Sequence, residues 1–156
     1  MHRNALRFLE AAEALGLALE PREFPDSTHT AAEAAAAIGV PVGAIVKSLV
    51  FGVDDTIVVA LVSGSNQLDE DLLAAAAGGK GAHRVDADTV RTATGYPVGG
   101  VPPFGHATAL PVYVDEDLLA HDVVWAAAGT PNVNFSIPSA TLVEAAKGTV
   151  VPLRRS

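Results

Sequence analysis

Apolar positions change their period several times along the chain, and each change marks an element. Ala5, Phe8, Ala12 and Leu15 recur at helical spacing and predict a first helix, with Gly16 placed to stop it. Leu17 to Phe24 reads as extended, and Pro21 favours a sheet edge there. Thr30-Ala31-Ala32-Glu33 has the capping-box pattern and opens a short alanine helix ending near Gly39. Ile45 to Phe51 and Thr56 to Val62 are β-branched runs joined by Gly52 to Asp55, which predicts an antiparallel hairpin in the middle of a sheet.

A helix is expected from about Asp69 to Ala77, stopped by Gly78-Gly79. A brief strand follows at His83 to Val85, then a helix capped by Asp86 and running through Thr92. Leu110 to Val114 is strand-like, and Glu116 to Ala120 reads as a helical turn. Val123 to Ala127 and Asn132 to Ile137 flank Gly129-Thr130-Pro131 as a second hairpin. Ser139 is placed to cap a last helix ending at Ala146, and Thr149 to Leu153 supplies a final strand. Helices and strands alternate irregularly, with hairpins among them. The expected class is therefore α/β, with a mixed, largely antiparallel sheet and packed helices over 1–156 as one domain.

Composition narrows the function classes. With no cysteine there is no disulfide framework, thiol nucleophile or thiolate metal site. The five histidines lack the paired spacing of a zinc site, so neither a metal nor a cofactor is expected. No N-terminal leader pattern and no apolar run of membrane-spanning length stands in the sequence, and the expectation is a cytoplasmic protein without a membrane partner. The net charge of −8, from 18 acidic and 10 basic residues, argues against a protein gripping long stretches of nucleic-acid backbone. It leaves room for one nucleotide end at a small local site.

Lys47 interrupts an apolar strand. By alternation it shares a face with Ile45, Leu49 and Phe51, while Val46, Ser48 and Val50 face the other way. Such a lysine either snorkels to an edge or meets something anionic or carbonyl-like in a pocket. Residues 95–106 hold four glycines and three prolines, a density that points to a loop of fixed shape rather than a simple connection. Fixed amides such as those of Gly100 and Val101 suit an anion or oxyanion site; an ordinary surface turn is the alternative.

His106 follows that loop and either reaches the same pocket or is a hydrogen-bonded surface residue. His29, beside Ser27, Thr28 and Thr30, either lines a pocket or belongs to a helix cap. Asp54-Asp55 and Asp115-Glu116-Asp117 read as solvated turn clusters. Gly78-Gly79-Lys80-Gly81 lacks the spacing of a phosphate-binding P-loop.

The ordered set Ile45-Val46-Lys47-Ser48-Leu49-Val50-Phe51, Leu68-Asp69, Thr94-Gly95-Tyr96, Gly99-Gly100-Val101-Pro102-Pro103-Phe104-Gly105 and Ala128-Gly129 resembles the YbaK and prolyl-tRNA-synthetase-associated editing domains. The resemblance implies their fold, a barrel-like sheet with packed helices, and their activity, hydrolysis of amino acids wrongly attached to tRNA. It implies a free-standing deacylase acting on the acceptor end of mischarged tRNA, with a synthetase such as prolyl-tRNA synthetase as a further partner; a monomer is the expectation for its oligomeric state. Cysteine, alanine and serine on tRNA-Pro are the family's candidate cargoes.

Carried over by position, Lys47 matches the functional lysine, and Gly99-Gly100-Val101-Pro102-Pro103 matches the Gly-x-x-x-Pro loop. Pro102 stands where the family commonly has serine, which removes a hydroxyl and an N–H. Lys47, Gly100 and Val101 are then the expected catalytic positions. Gly99, Pro102, Pro103, Phe104, Gly105, His106, His29 and Gly129 are expected to contact substrate. The resemblance also implies that the tRNA's own ribose hydroxyl helps to activate the attacking water. Two other readings stand beside this one: a binding module for an aminoacyl or nucleotide ligand, or for a synthetase, without turnover, and a hydrolase of small esters unrelated to tRNA.

Overall fold

The computed structural model describes residues 1–25 and 28–156. Helix α1 (Arg3–Ala14) buries Ala5, Phe8 and Ala12 on one stripe, and Gly16 follows in the left-handed region at φ 81°. Strand β1 (Arg22–Glu23) is much shorter than the extended stretch expected, and it does lie at a sheet edge. Helix α2 (Ala31–Ile38) carries the anticipated capping box: Thr30 accepts from the Glu33 N–H, and the Glu33 carboxylate accepts from the Thr30 N–H.

The central hairpin is β2 (Val46–Val53) and β3 (Thr56–Ser63), antiparallel along their whole length, with Val46 opposite Ser63 and Val53 opposite Thr56. Next come α3 (Glu70–Ala76), β4 (Ala82–Arg84) and α4 (Ala87–Thr94). After the glycine–proline loop lie β5 (Val112–Asp115), a 3₁₀ turn at Glu116–Ala120, and the hairpin of β6 (Val123–Ala127) and β7 (Val133–Pro138). Helix α5 (Ser139–Ala146) and β8 (Thr149–Val151) complete the described order.

Two sheets result. One has the order β4-β2-β3-β5-β8, the other β1-β7-β6. Pairing is antiparallel except for β3 with β5 and β5 with β8. The mixed, largely antiparallel α/β class stands, but the barrel-like closure does not. The hairpins pair within separate sheets, and among the described residues only an isolated bridge between Ile45 and Trp125 joins them.

Ser139 is also not the cap expected of it. It is the first helical residue, its N–H donates to the Asp122 carbonyl at 2.9 Å, and no side chain caps the helix.

The pleat of β2 divides the apolar interior. Val46 and Val50 pack on the larger cluster, with Phe8, Tyr96, Val101, Phe104 and Phe135, while Leu49 and Phe51 pack on the opposite face with Leu68 and Leu73. Phe8 sits at the centre of an aromatic group, its ring centroid 5.1 Å from that of Phe104 and 5.0 Å from that of Phe135. Phe104 therefore anchors the glycine–proline loop to α1 and β7. β4 pairs only with Phe51 to Val53 of β2, so the Val46–Val50 stretch keeps a bare edge on that side.

Candidate active site

A cavity of about 540 Å³ opens on that bare edge. One wall is Ile45 with β2 from Val46 to Phe51, so residues of both strand faces contribute, Lys47 and Ser48 among them. The opposite wall is the loop, through Val98, Gly99 and Val101. Thr28, His29 and Thr30, ahead of α2, close one end, and Arg84 and Val85 stand at another. A larger groove of about 710 Å³, lined by Asp55, Asp86 and Asp88 among others, holds none of the residues expected to act on or contact substrate.

The loop's shape follows from its residues. The Gly100 N–H donates to the Pro97 carbonyl at 3.0 Å, and Gly99 sits at φ +87°, as the third residue of such a turn requires. Gly100 is required by proximity rather than by φ. A Cβ there would stand 2.9 Å from the Gly129 carbonyl oxygen and 2.9 Å from the Thr130 Cα. Gly129 in turn is buried at φ +97°, where a Cβ would meet the Asn4 carbonyl oxygen at 2.7 Å. Backbone thus lies on backbone from α1 through the β6–β7 turn to the loop.

Four of the expected positions come together at the cavity: Lys47, His29, Gly99 and Val101. Gly100, Pro102, Pro103, Phe104, Gly105, His106 and Gly129 lie outside its lining. Of the two amides expected to polarise a carbonyl, that of Gly100 is engaged by Pro97, while the Val101 N–H has no hydrogen-bond partner among the described residues. His106 Nε2 lies 2.7 Å from the Pro102 carbonyl oxygen, bracing the loop from behind. Burial lowers the His106 pKa, against the smaller opposing effect of that hydrogen bond. Ser27 lies outside the described residues.

Lys47 is half-buried, and its Nζ donates to the Asn66 carbonyl. Burial lowers its pKa, and the nearby charge of Asp115 partly offsets that. Two of its three N–H donors remain after the Asn66 bond.

Behind it sits a network that the sequence reading missed. Asp115 is fully buried rather than solvated. It accepts from the Ser63 N–H at 3.0 Å, from Asn66 Nδ2 at 2.9 Å and from the Asp117 N–H at 3.0 Å. Asn66 Nδ2 also reaches Asp117 at 2.8 Å. The available signal was the position of Asp115 at the end of an apolar strand, where the pleat carries it inward.

Asn134 was missed as well: it is buried, lines the cavity and donates to Thr28 Oγ1 at 3.3 Å. Like Lys47, it is a polar residue set within an apolar strand.

Residues 25–145 match the family model of the aminoacyl-tRNA editing domain. The chain belongs to that family, and by class it is an aminoacyl-tRNA deacylase. The crystal structure of a candidate trans-editing enzyme for prolyl-tRNA synthetase superposes with a TM-score of 0.95 at 42% identity, over 100% of this chain and 99% of that one. A candidate Cys-tRNA(Pro)/Cys-tRNA(Cys) deacylase of Enterococcus faecalis, EbsC, is 28% identical over 93% of this chain and 88% of its own. The proline–tRNA ligase of Solidesulfovibrio magneticus is 40% identical over 62% of this chain, a match that spans only 17% of that enzyme.

Proposed function

We propose that the protein acts in trans on mischarged tRNA-Pro, removing a small amino acid such as cysteine, alanine or serine by hydrolysis of its ester. The cavity between Lys47 and the Val98–Val101 turn is the observation that carries this reading. An aminoacyl ester is already reactive, so its hydrolysis calls for placement and oxyanion support more than for a strong nucleophile. The Val101 N–H supplies the oxyanion contact. Lys47 holds the terminal phosphate or sugar with its remaining donors. Water attacks the carbonyl, helped by the ribose hydroxyl next to the ester, and the amino acid leaves with a free carboxylate while the tRNA recovers its hydroxyl.

The choice of a small cargo is supported by the apolar part of the lining, Ala31, Ala34, Ile45, Val46, Val50, Val90 and Ala127, beside which the only charged side chains among the described residues, Lys47 and Arg84, are cations suited to the RNA end. Pocket contacts separate cargoes differing by one methylene only about 10- to 200-fold, so the preference among them is graded. Single-turnover deacylation tests the reading, with mischarged tRNA-Pro beside a simple amino acid ester. Preference for the tRNA by orders of magnitude is expected. Equal efficiency on both makes the protein a general esterase, and binding without release makes it a non-catalytic module.

A further inference from the structure

Three of the chain's 10 lysines and arginines, Arg3, Arg7 and Arg91, gather around one cleft of about 690 Å³. It lies between the start of α1 and α4, and His2, Gly95 and Pro97 also line it. In a chain of net charge −8 that is a local reversal of sign. All three arginines are exposed, and among the described residues none is ion-paired and no aspartate or glutamate lines the cleft. Arginines left without carboxylates in so acidic a protein are available to an anion from outside.

The cleft is also tied to the active site. Arg7 Nη2 donates to the Gly95 carbonyl, and its guanidinium lies 4.4 Å from the centroid of the Tyr96 ring, which fixes one arginine against the root of the loop. Arg3 and Arg91 make no side-chain hydrogen bond among the described residues, leaving their full forks for phosphate oxygens. Pro97 borders this cleft, while Val98 and Gly99 border the editing cavity. Pro97 and Val98 are neighbours in sequence, so the two sites adjoin the same turn.

We propose that this cleft receives the phosphodiester backbone of the RNA acceptor stem while its terminal nucleotide occupies the cavity. The proposal rests on the tRNA reading above and adds where the duplex lies. The acidic remainder of the surface repels RNA and so favours the one orientation that brings the stem to Arg3 and Arg91.

The test is fluorescence anisotropy with an uncharged acceptor-stem minihelix, over a range of salt, comparing wild type with Arg3→Gln/Arg91→Gln. Each lost phosphate contact removes about 0.9 from the slope of log affinity against log salt, which is about eightfold in affinity per arginine near 0.1 M salt. The double variant should therefore bind many-fold more weakly with a shallower slope, at an unchanged melting temperature, while Arg3→Lys/Arg91→Lys keeps most of the slope. In deacylation, KM for full tRNA should rise with kcat unchanged, and a short aminoacylated CCA oligonucleotide without a stem should react equally with both proteins. An unchanged slope, no minihelix binding by wild type, or an equal loss on the stemless oligonucleotide overturns the assignment. A wild type that binds the minihelix with this arginine dependence but releases no amino acid contradicts the deacylase reading and leaves the cleft assignment standing.

Discussion

Replacing Asp115 by asparagine keeps its shape and removes one acceptor. In the native network one carboxylate oxygen accepts from the Ser63 N–H at 3.0 Å and Asn66 Nδ2 at 2.9 Å, and the other from the Asp117 N–H at 3.0 Å. An asparagine amide must set its NH₂ against at least one of these donors. The less costly orientation gives up the Asp117 contact and weakens the other two by removing the charge. Hydrogen bonds to charged groups contribute about 1.5 to 3 kcal/mol, and a buried unsatisfied donor costs a similar amount, so Asp115→Asn should cost about 3 kcal/mol. At about 2 to 4 °C per kcal/mol for a domain of this size, the melting temperature should fall by roughly 6 to 12 °C. The charge of Asp115 also holds up the Lys47 pKa against burial, so that pKa should fall further in the variant. Thermal unfolding by circular dichroism reads the first effect, and the alkaline limb of the deacylation pH profile reads the second. A variant that melts within about 2 °C of wild type would refute the reasoning, because on this account every acceptor site of the buried carboxylate matters.

Three further outcomes follow from the same geometry. Gly100→Ala forces a Cβ against the Gly129 and Thr130 backbone at 2.9 Å, so stability should drop by about 1 to 3 kcal/mol. Displacing the turn should also cost about 10²-fold in kcat/KM; wild-type rates in this variant would mean the loop tolerates the shift. Ser48 Oγ is buried with no hydrogen-bond partner among the described residues, so Ser48→Ala should hold or raise stability by about 1 kcal/mol in urea unfolding, and a clear loss would show that the hydroxyl is bonded. His106 has a lowered folded pKa, so below about pH 6.5 the unfolded chain takes up a proton that the folded one refuses. Stability should therefore fall as pH drops from about 6.5 through the lowered folded value, and His106→Gln should flatten that part of the curve. Urea midpoints for both proteins across this range check it, and parallel curves contradict it.

Local patterns made much of the fold legible. The capping box at Thr30 and Glu33, the period-two runs of β2 and β3, and the stop at Gly16 are each set by residues close in sequence. Sheet closure was not, because whether two hairpins share one sheet depends on contacts such as Ile45 with Trp125, which no local pattern encodes. The site divides in the same way. Lys47 was visible as a charge in an apolar strand. That Gly100 is needed for contact with Gly129 rather than for a free amide depends on two turns meeting across 29 residues. Asp115 misled because a run of acids looks solvated, while the end of β5 buries its first member.

Release of labelled amino acid from a panel of mischarged tRNAs, by wild type and by Lys47→Ala, tests the central claim most directly. Fast release of one small amino acid from tRNA-Pro, lost in the variant at an unchanged melting temperature, is the predicted result. Release by neither protein while both remain folded, or equal release by both, would contradict it.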